Sequence, residues 1–142
     1  MNIVVASDHA GFALKEKIKD FLKEKGYSVL DCGTDSEASC DYPVFAKALC
    51  KEIKEGNAEY GILVCGTGIG MSMAANKVQG IRAALCSDYF SAKFTRAHND
   101  ANVMCLGARV TGEGLAMELV DIFLNTPFEG GKHLRRIEMF EE

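Results

Sequence analysis

The sequence predicts a single α/β domain built on a five-stranded parallel sheet with helices on both faces. Three observations predict it. Five short apolar, β-rich runs recur along the chain, a stretch of helical periodicity follows each of them, and no linker, low-complexity segment or internal repeat interrupts the 142 residues. Strands separated by helices can pair only in parallel, through crossovers that cover the sheet on each side. A chain of this length buries most of the surface its unfolded form exposes, so residues 1–142 read as one domain.

The elements follow in order. The run NIVVAS (2–7) leads into GFALKEKIKDFLKEKG (11–26), where Phe12, Leu14, Ile18, Phe21 and Leu22 fall near helical spacing and lysines and acids fill the other side. YSVLDC (27–32) precedes YPVFAKALCKEIKEG (42–56), and YGILVC (60–65) precedes GIGMSMAANKV (68–78). IRAALC (81–86) is followed by DYFSAKFTRAH (88–98), and NVMCLG (102–107) by GEGLAMELVDIFLN (112–125).

Composition narrows the function classes. Twenty acidic against sixteen basic residues give a net charge of −4, so no overall field draws the chain to nucleic acid or an anionic membrane. The amino-terminal MNIVVASDHAG has no basic leader, and no apolar run approaches the ~18 residues of a membrane span. The expectation is a soluble, cytoplasmic protein. Six cysteines lie apart without a C-x-x-C pair, and His9, His98 and His133 are far from one another in sequence. That pattern predicts mostly small, buried cysteines and no structural metal site.

Open parallel sheets bind ligands at the carboxyl ends of their strands. The turns there read SDHAG (7–11), CGTGIG (65–70), SDY (87–89) and GARVTG (107–112), which puts Cys65 on the active edge. Its plain alternative is one more buried strand residue, like Cys86 and Cys105. Gly66, Gly68 and Gly70 strip side chains from the loop, and the N–H groups of Thr67 to Met71, with Ile69 among them, open a helix able to cradle an anion. Such a helix end also favours the thiolate form of a neighbouring thiol, so Cys65 is a candidate base or nucleophile. The loop is neither a P-loop nor the dinucleotide G-x-G-x-x-G. A nucleotide-binding module stays open as the second reading, because Asp88 lies where a ribose-binding acid is expected, about twenty residues past Gly68.

Other polar clusters accompany the loop. Asp8 and His9 share its edge if the first and third strands are neighbours, although Asp8 also suits a capping role. His98 and Asn99 fall between helix and strand, and Arg109 follows the fifth strand. The tail GGKHLRRIE (130–138) gathers Lys132, His133, Arg135 and Arg136, either as a phosphate or carboxylate grip or as a solvated face.

SDHAG, DYP (41–43), CGTGIGMS (65–72), AANK (74–77), HNDANV (98–103), LGARV (106–110) and EGGKHLRR (129–136) together resemble the ribose 5-phosphate isomerase B family, whose relatives also act on allose and galactose 6-phosphates. The resemblance runs nearly end to end. It implies a Rossmann-like α/β/α sandwich that uses no metal or organic cofactor and interconverts ribose 5-phosphate and ribulose 5-phosphate, a reaction of the pentose phosphate pathway. It implies that Cys65 moves the proton between C1 and C2, that Gly66 to Gly70 hold the enediolate oxygen, and that Thr67 adds a hydroxyl hydrogen bond. It further implies that His98 opens the sugar ring, that Asp8, His9 and Asn99 contact sugar or phosphate, that Arg109, Lys132 and Arg136 grip the phosphate, and that Tyr42 is a further contact.

Two positions depart from the family pattern. Met71 stands where some branches carry a glutamate base, which leaves Cys65 as the evident base, and Lys132 stands where relatives carry arginine. Lysine keeps the charge and loses the bidentate fork, which touches phosphate affinity rather than reaction type. Because Cys65 ends the third strand while His98 precedes the fifth, the two are expected at opposite ends of the sheet, ~17 Å apart along a strand. The expected solution is a homodimer, or a dimer of dimers, with sites shared between copies.

Overall fold

A computed structural model describes residues 1–141 of the chain. In chain order the elements are β1 (Asn2–Ser7), α1 (Phe12–Glu24), β2 (Ser28–Asp31), α2 (Tyr42–Lys54), β3 (Tyr60–Cys65), α3 (Ile69–Asn76), β4 (Ala83–Leu85), α4 (Tyr89–Asn99), β5 (Val103–Gly107), α5 (Glu113–Asn125) and α6 (Lys132–Glu138), closed by a short 3-10 turn. All pairings are parallel and the strand order is β2-β1-β3-β5-β4. The expected single-domain α/β sandwich and its five strands are therefore present.

Three strands are central and two are edges, and the residues follow that division. β1, β3 and β5 read as continuous apolar runs because both faces are covered, with Ile3, Val4, Val5, Ile62, Leu63, Val64, Met104, Cys105 and Leu106 fully buried. The alternating pleat sends Ile3, Val5, Ile62, Val64, Met104 and Leu106 into one core shared with α1, α4 and α5. Val4, Ala6, Leu63, Cys65, Val103 and Cys105 point into the other, under α2 and α3. The edges are short, and Leu30 on β2 and Leu85 on β4 stay exposed. β4 keeps only three of the six residues expected for it, because a single neighbour, β5, supplies its ladder.

α6 is a helix that periodicity over the basic tail did not predict. It is only seven residues long and buries one of them, Ile137. A lysine, by contrast, lies wholly inside. Lys15 on α1 is 0% exposed, and its ammonium donates to both carboxylate oxygens of Asp31 at 2.8 Å and to the Thr34 carbonyl at 2.6 Å. Burial alone would raise the Asp31 carboxyl, but hydrogen bonds from Lys15 and Lys19 outweigh it and hold that carboxyl below its ordinary range. Lys15 thereby fixes the segment after β2, where the Ser7 N–H donates to the Gly33 carbonyl and the Thr34 N–H to the Ser7 carbonyl across the end of β1.

Candidate active site

β1 and β3 are hydrogen-bonded neighbours, so the turns that follow them meet at one edge. The order of the sheet reverses between these strands, which opens a crevice at their carboxyl ends. Asp8 and Cys65 both sit there. The Asp8 N–H donates to the Val64 carbonyl at 3.2 Å, and β5 joins on the far side, with Cys65 in register with Gly107.

Cys65 is both a buried strand residue and the first residue of the loop. Its sulfur accepts a hydrogen bond from the Gly68 N–H at 3.1 Å. Gly68 caps α3 with a φ of +80°, a left-handed turn that sets the direction in which the chain leaves the thiol for the first turn of α3. The N–H groups of that first turn have no carbonyl partner within the helix, which is the anion cradle the glycine loop implies. The Thr67 hydroxyl oxygen accepts from the Ile69 N–H at 3.2 Å, so its own proton is directed elsewhere.

The other two loop glycines let neighbouring side chains come close. A Cβ on Gly66 would lie 3.1 Å from the Arg109 guanidinium, and one on Gly70 would lie 2.5 Å from the Tyr42 ring. Arg109 is held over the loop by its own N–H, which donates to the Gly66 carbonyl at 3.0 Å. His9 completes this edge. The Cys40 N–H donates to its Nδ1 at 3.3 Å, so in the neutral ring Nε2 is the donor. Asp8, buried, accepts from the Gly11 N–H at 3.0 Å and organises the turn before α1, but the N-cap of that helix is Gly11 and no side chain caps it. Cys40 over His9, and Tyr42 over Gly70, give the segment around DYP its place at the edge.

A second group forms elsewhere. His98 and Asn99 end α4, just before β5 begins, while Cys65 ends β3. The register aligns Gly61 with Val103 and Cys65 with Gly107, so these residues sit at opposite ends of the sheet, roughly 13 Å apart along β3 at ~3.3 Å per residue. They also occupy opposite faces, since α4 packs over the core opposite to the Cys65 side chain. Lys132 and Arg136 on α6, both exposed, lie with His98 and not with Cys65, because α6 is anchored at the end of α4 by a bond from the Glu129 N–H to the Ala97 carbonyl.

The His98 ring lies between Phe94, with centroids 4.9 Å apart, and His133, stacked at 4.1 Å with planes 10° apart. Glu129 Oε1 is 3.6 Å from the Nε2 atom of each histidine. Burial and the neighbouring His98 push the His133 imidazole below its ordinary value. Sequence reasoning placed His133 in the basic tail and passed over Glu129. Asp88, which kept the nucleotide reading open, caps α4 by accepting from the Ser91 N–H at 2.7 Å, and that role accounts for it.

The chain is similar to known proteins along nearly its whole length. Residues 3–140 match the family model described as Ribose/Galactose Isomerase. Ribose-5-phosphate isomerase B of Escherichia coli is 46% identical over 136 residues, covering 96% of this chain and 91% of that protein. The structure of the Clostridium thermocellum ribose-5-phosphate isomerase B superposes with a TM-score of 0.98 at 48% identity, over 99% of this chain and 95% of that one. The enzyme of the same name from Thermotoga maritima superposes at 0.97 with 52% identity, over 99% and 97%.

Proposed function

The chain belongs to the ribose/galactose isomerase family, and on that premise we propose that it interconverts ribose 5-phosphate and ribulose 5-phosphate. The observation that carries the reading is the Cys65 sulfur under the Gly68 N–H, at the mouth of a glycine loop that opens α3.

Ribose 5-phosphate is held as a furanose, so its ring opens first. His98 gives a proton to the ring oxygen as the C1–O bond breaks, and the C1 hydroxyl proton leaves to water. The Cys65 thiolate then removes the C2 proton, and the electron pair moves through C1 onto O1 to give an enediolate. The loop N–H groups hold that charge, the kind of preorganised donor set that stabilises developing oxyanions. A proton passes from O2 to O1 beside the Thr67 hydroxyl, and the Cys65 thiol returns its proton to C1 as the C2 carbonyl forms. Asp8, His9 and Asn99 contact sugar or phosphate, Arg109, Lys132 and Arg136 hold the phosphate, and this chemistry asks for no metal or organic cofactor.

One chain holds Cys65 and His98 on different faces and at opposite ends of the sheet, so the working unit is a homodimer, alone or paired into a dimer of dimers. One copy supplies Cys65, Thr67 and the loop, and its partner supplies His98 on α4, with Lys132 and Arg136 on the adjoining α6. Exposed apolar groups beside the loop, Ile69, Leu85, Tyr89 and Phe90, support a pairing face there. Six free thiols fit a reducing compartment, and we place the protein in the cytoplasm.

The test is ketose formation from ribose 5-phosphate, allose 6-phosphate and galactose 6-phosphate under identical conditions. The proposal expects the pentose to give the highest kcat/KM. Faster turnover of a hexose phosphate would reassign the substrate, and binding without ketose formation would make the chain a phosphosugar-binding module.

A further inference from the structure

His98 stands in a cluster with Glu129 and His133, two residues to which the isomerase chemistry gives no role. Each offers one ligand atom, and the three atoms lie within 4.8 Å of one another. The cluster is held from both sides of the chain. The Glu129 backbone is pinned beside His98 by its bond to Ala97, and Gly130 and Gly131, with φ of +70° and +57°, turn the chain sharply enough to lay His133 over His98. We propose that this is a binding site for a divalent transition-metal ion of the zinc class, and that the ion inhibits the enzyme by taking the lone pair of His98.

The donor set is two imidazoles and a carboxylate, which suits Zn²⁺ and leaves a fourth position to water. At Zn–N and Zn–O distances near 2.0–2.1 Å, tetrahedral ligands stand about 3.3 Å from one another. The two His Nε2 to Glu129 Oε1 separations are 3.6 Å, so these pairs need to close by only a few tenths of an ångström, and the third pair of donor atoms lies within 4.8 Å. Ring orientation asks for more. The imidazole planes are stacked and nearly parallel, and an ion in the plane of one ring is out of the plane of the other, so one histidine turns about its Cβ–Cγ bond, a broad torsion. The His98 side chain is 40% exposed and has room to do so. Separation in sequence hid the site, because Glu129 and His133 stand four residues apart but His98 lies about thirty residues before them on another element.

The metal site stands on the cluster alone, whereas the inhibition rests on the ring-opening role proposed for His98. Co²⁺ serves as the probe, since the four-coordinate ion absorbs strongly in the visible and the aqueous ion only weakly. Titration of the purified protein with Co²⁺ is expected to give one saturable band per chain, displaced by Zn²⁺. His133→Asn removes one ligand, and Glu129→Gln weakens another. The first is expected to weaken binding by about 100-fold or more, beyond the loss seen when a mere supporting partner is removed, and the activity of each variant in chelator-treated buffer is the baseline against which its inhibition is read. Zn²⁺ is expected to inhibit turnover of ribose 5-phosphate in the wild type, reversibly with chelator, and much less in His133→Asn. It should spare solvent hydrogen exchange at C1 of ribulose 5-phosphate, which has no ring to open. No saturable band, or a band unchanged in both variants, overturns the site. A band that depends on His133, without inhibition, upholds the site and overturns only the ring-opening role of His98.

Discussion

The Gly68 N–H points at the Cys65 sulfur from 3.1 Å, and Gly68, with a φ of +80°, turns the chain from there into α3. A side chain at this position is excluded twice. The left-handed backbone costs an L-residue roughly 1–2 kcal/mol, and a Cβ would lie 2.6 Å from Leu85 and 2.9 Å from the Leu106 carbonyl carbon. Gly68→Ala is expected to lower stability by at least that amount in urea unfolding and to reduce kcat by more than about tenfold, as misaimed donors do. A variant with native stability and native kcat would detach this loop from the chemistry.

Buried thiols set an alkaline limit on stability. Burial pushes Cys50 up to about 11 and Cys86 up to about 12 from an ordinary value of 9.0, and raises Cys105 as well. Each folded-state value lies above its unfolded one, so above about pH 9 the unfolded chain sheds protons that the folded chain keeps, and stability falls as pH rises. Urea midpoints should decline between pH 9 and 11, and a midpoint that rises over this range would contradict the assignment. In the same state these three thiols should resist alkylation at pH 8 and react on unfolding.

Two lysines on α1 are expected to differ sharply. Lys15 is wholly buried and donates to the Thr34 carbonyl, so Lys15→Met leaves that carbonyl without this donor and Asp31 with Lys19 and the Gly33 N–H alone, and should cost about 1–3 kcal/mol. Lys17 pairs with Glu113 at 2.7 Å with both side chains 55% exposed, and Lys17→Met should change stability by less than about 1 kcal/mol. Equal effects in thermal or chemical unfolding would mean that burial does not set the difference.

The shared-site arrangement predicts complementation. Cys65→Ala and His98→Ala are each expected to be inactive. When they are unfolded, mixed and refolded together, about half of the dimers are mixed, and each mixed dimer has one site with both residues intact. About a quarter of wild-type activity should return under two-fold symmetry. No recovery from demonstrated mixed dimers would put both residues to work within one chain.

Much of this architecture was legible in the residues. The runs at 2–7, 60–65 and 102–107 became the three central strands because strands buried on both faces carry continuous apolar sequence, and the CGTGIG loop lies where strand-to-helix turns place ligands. The strand order was not legible, since periodicity says nothing about which strands pair. Nor was the burial of Lys15, one of several lysines in KEKIKD, whose partner Asp31 is on another element. α6 escaped because one buried residue makes no pattern. The meeting of His98 with Glu129 and His133 depends on a turn at Gly130–Gly131, a tertiary event that spacing along the chain cannot express.

The central claim is that Cys65 carries the proton between C2 and C1. Its most direct measurement is deuterium incorporation at C1 of ribulose 5-phosphate in D₂O, followed by NMR, for the wild type and Cys65→Ala, because exchange reports the proton transfer without ring opening. The account predicts that Cys65→Ala loses exchange and isomerisation together, by ~100-fold or more as expected for a lost general base, while its fold and its affinity for the sugar phosphate stay near wild type. A variant that keeps more than about a tenth of wild-type exchange would show that another group is the base.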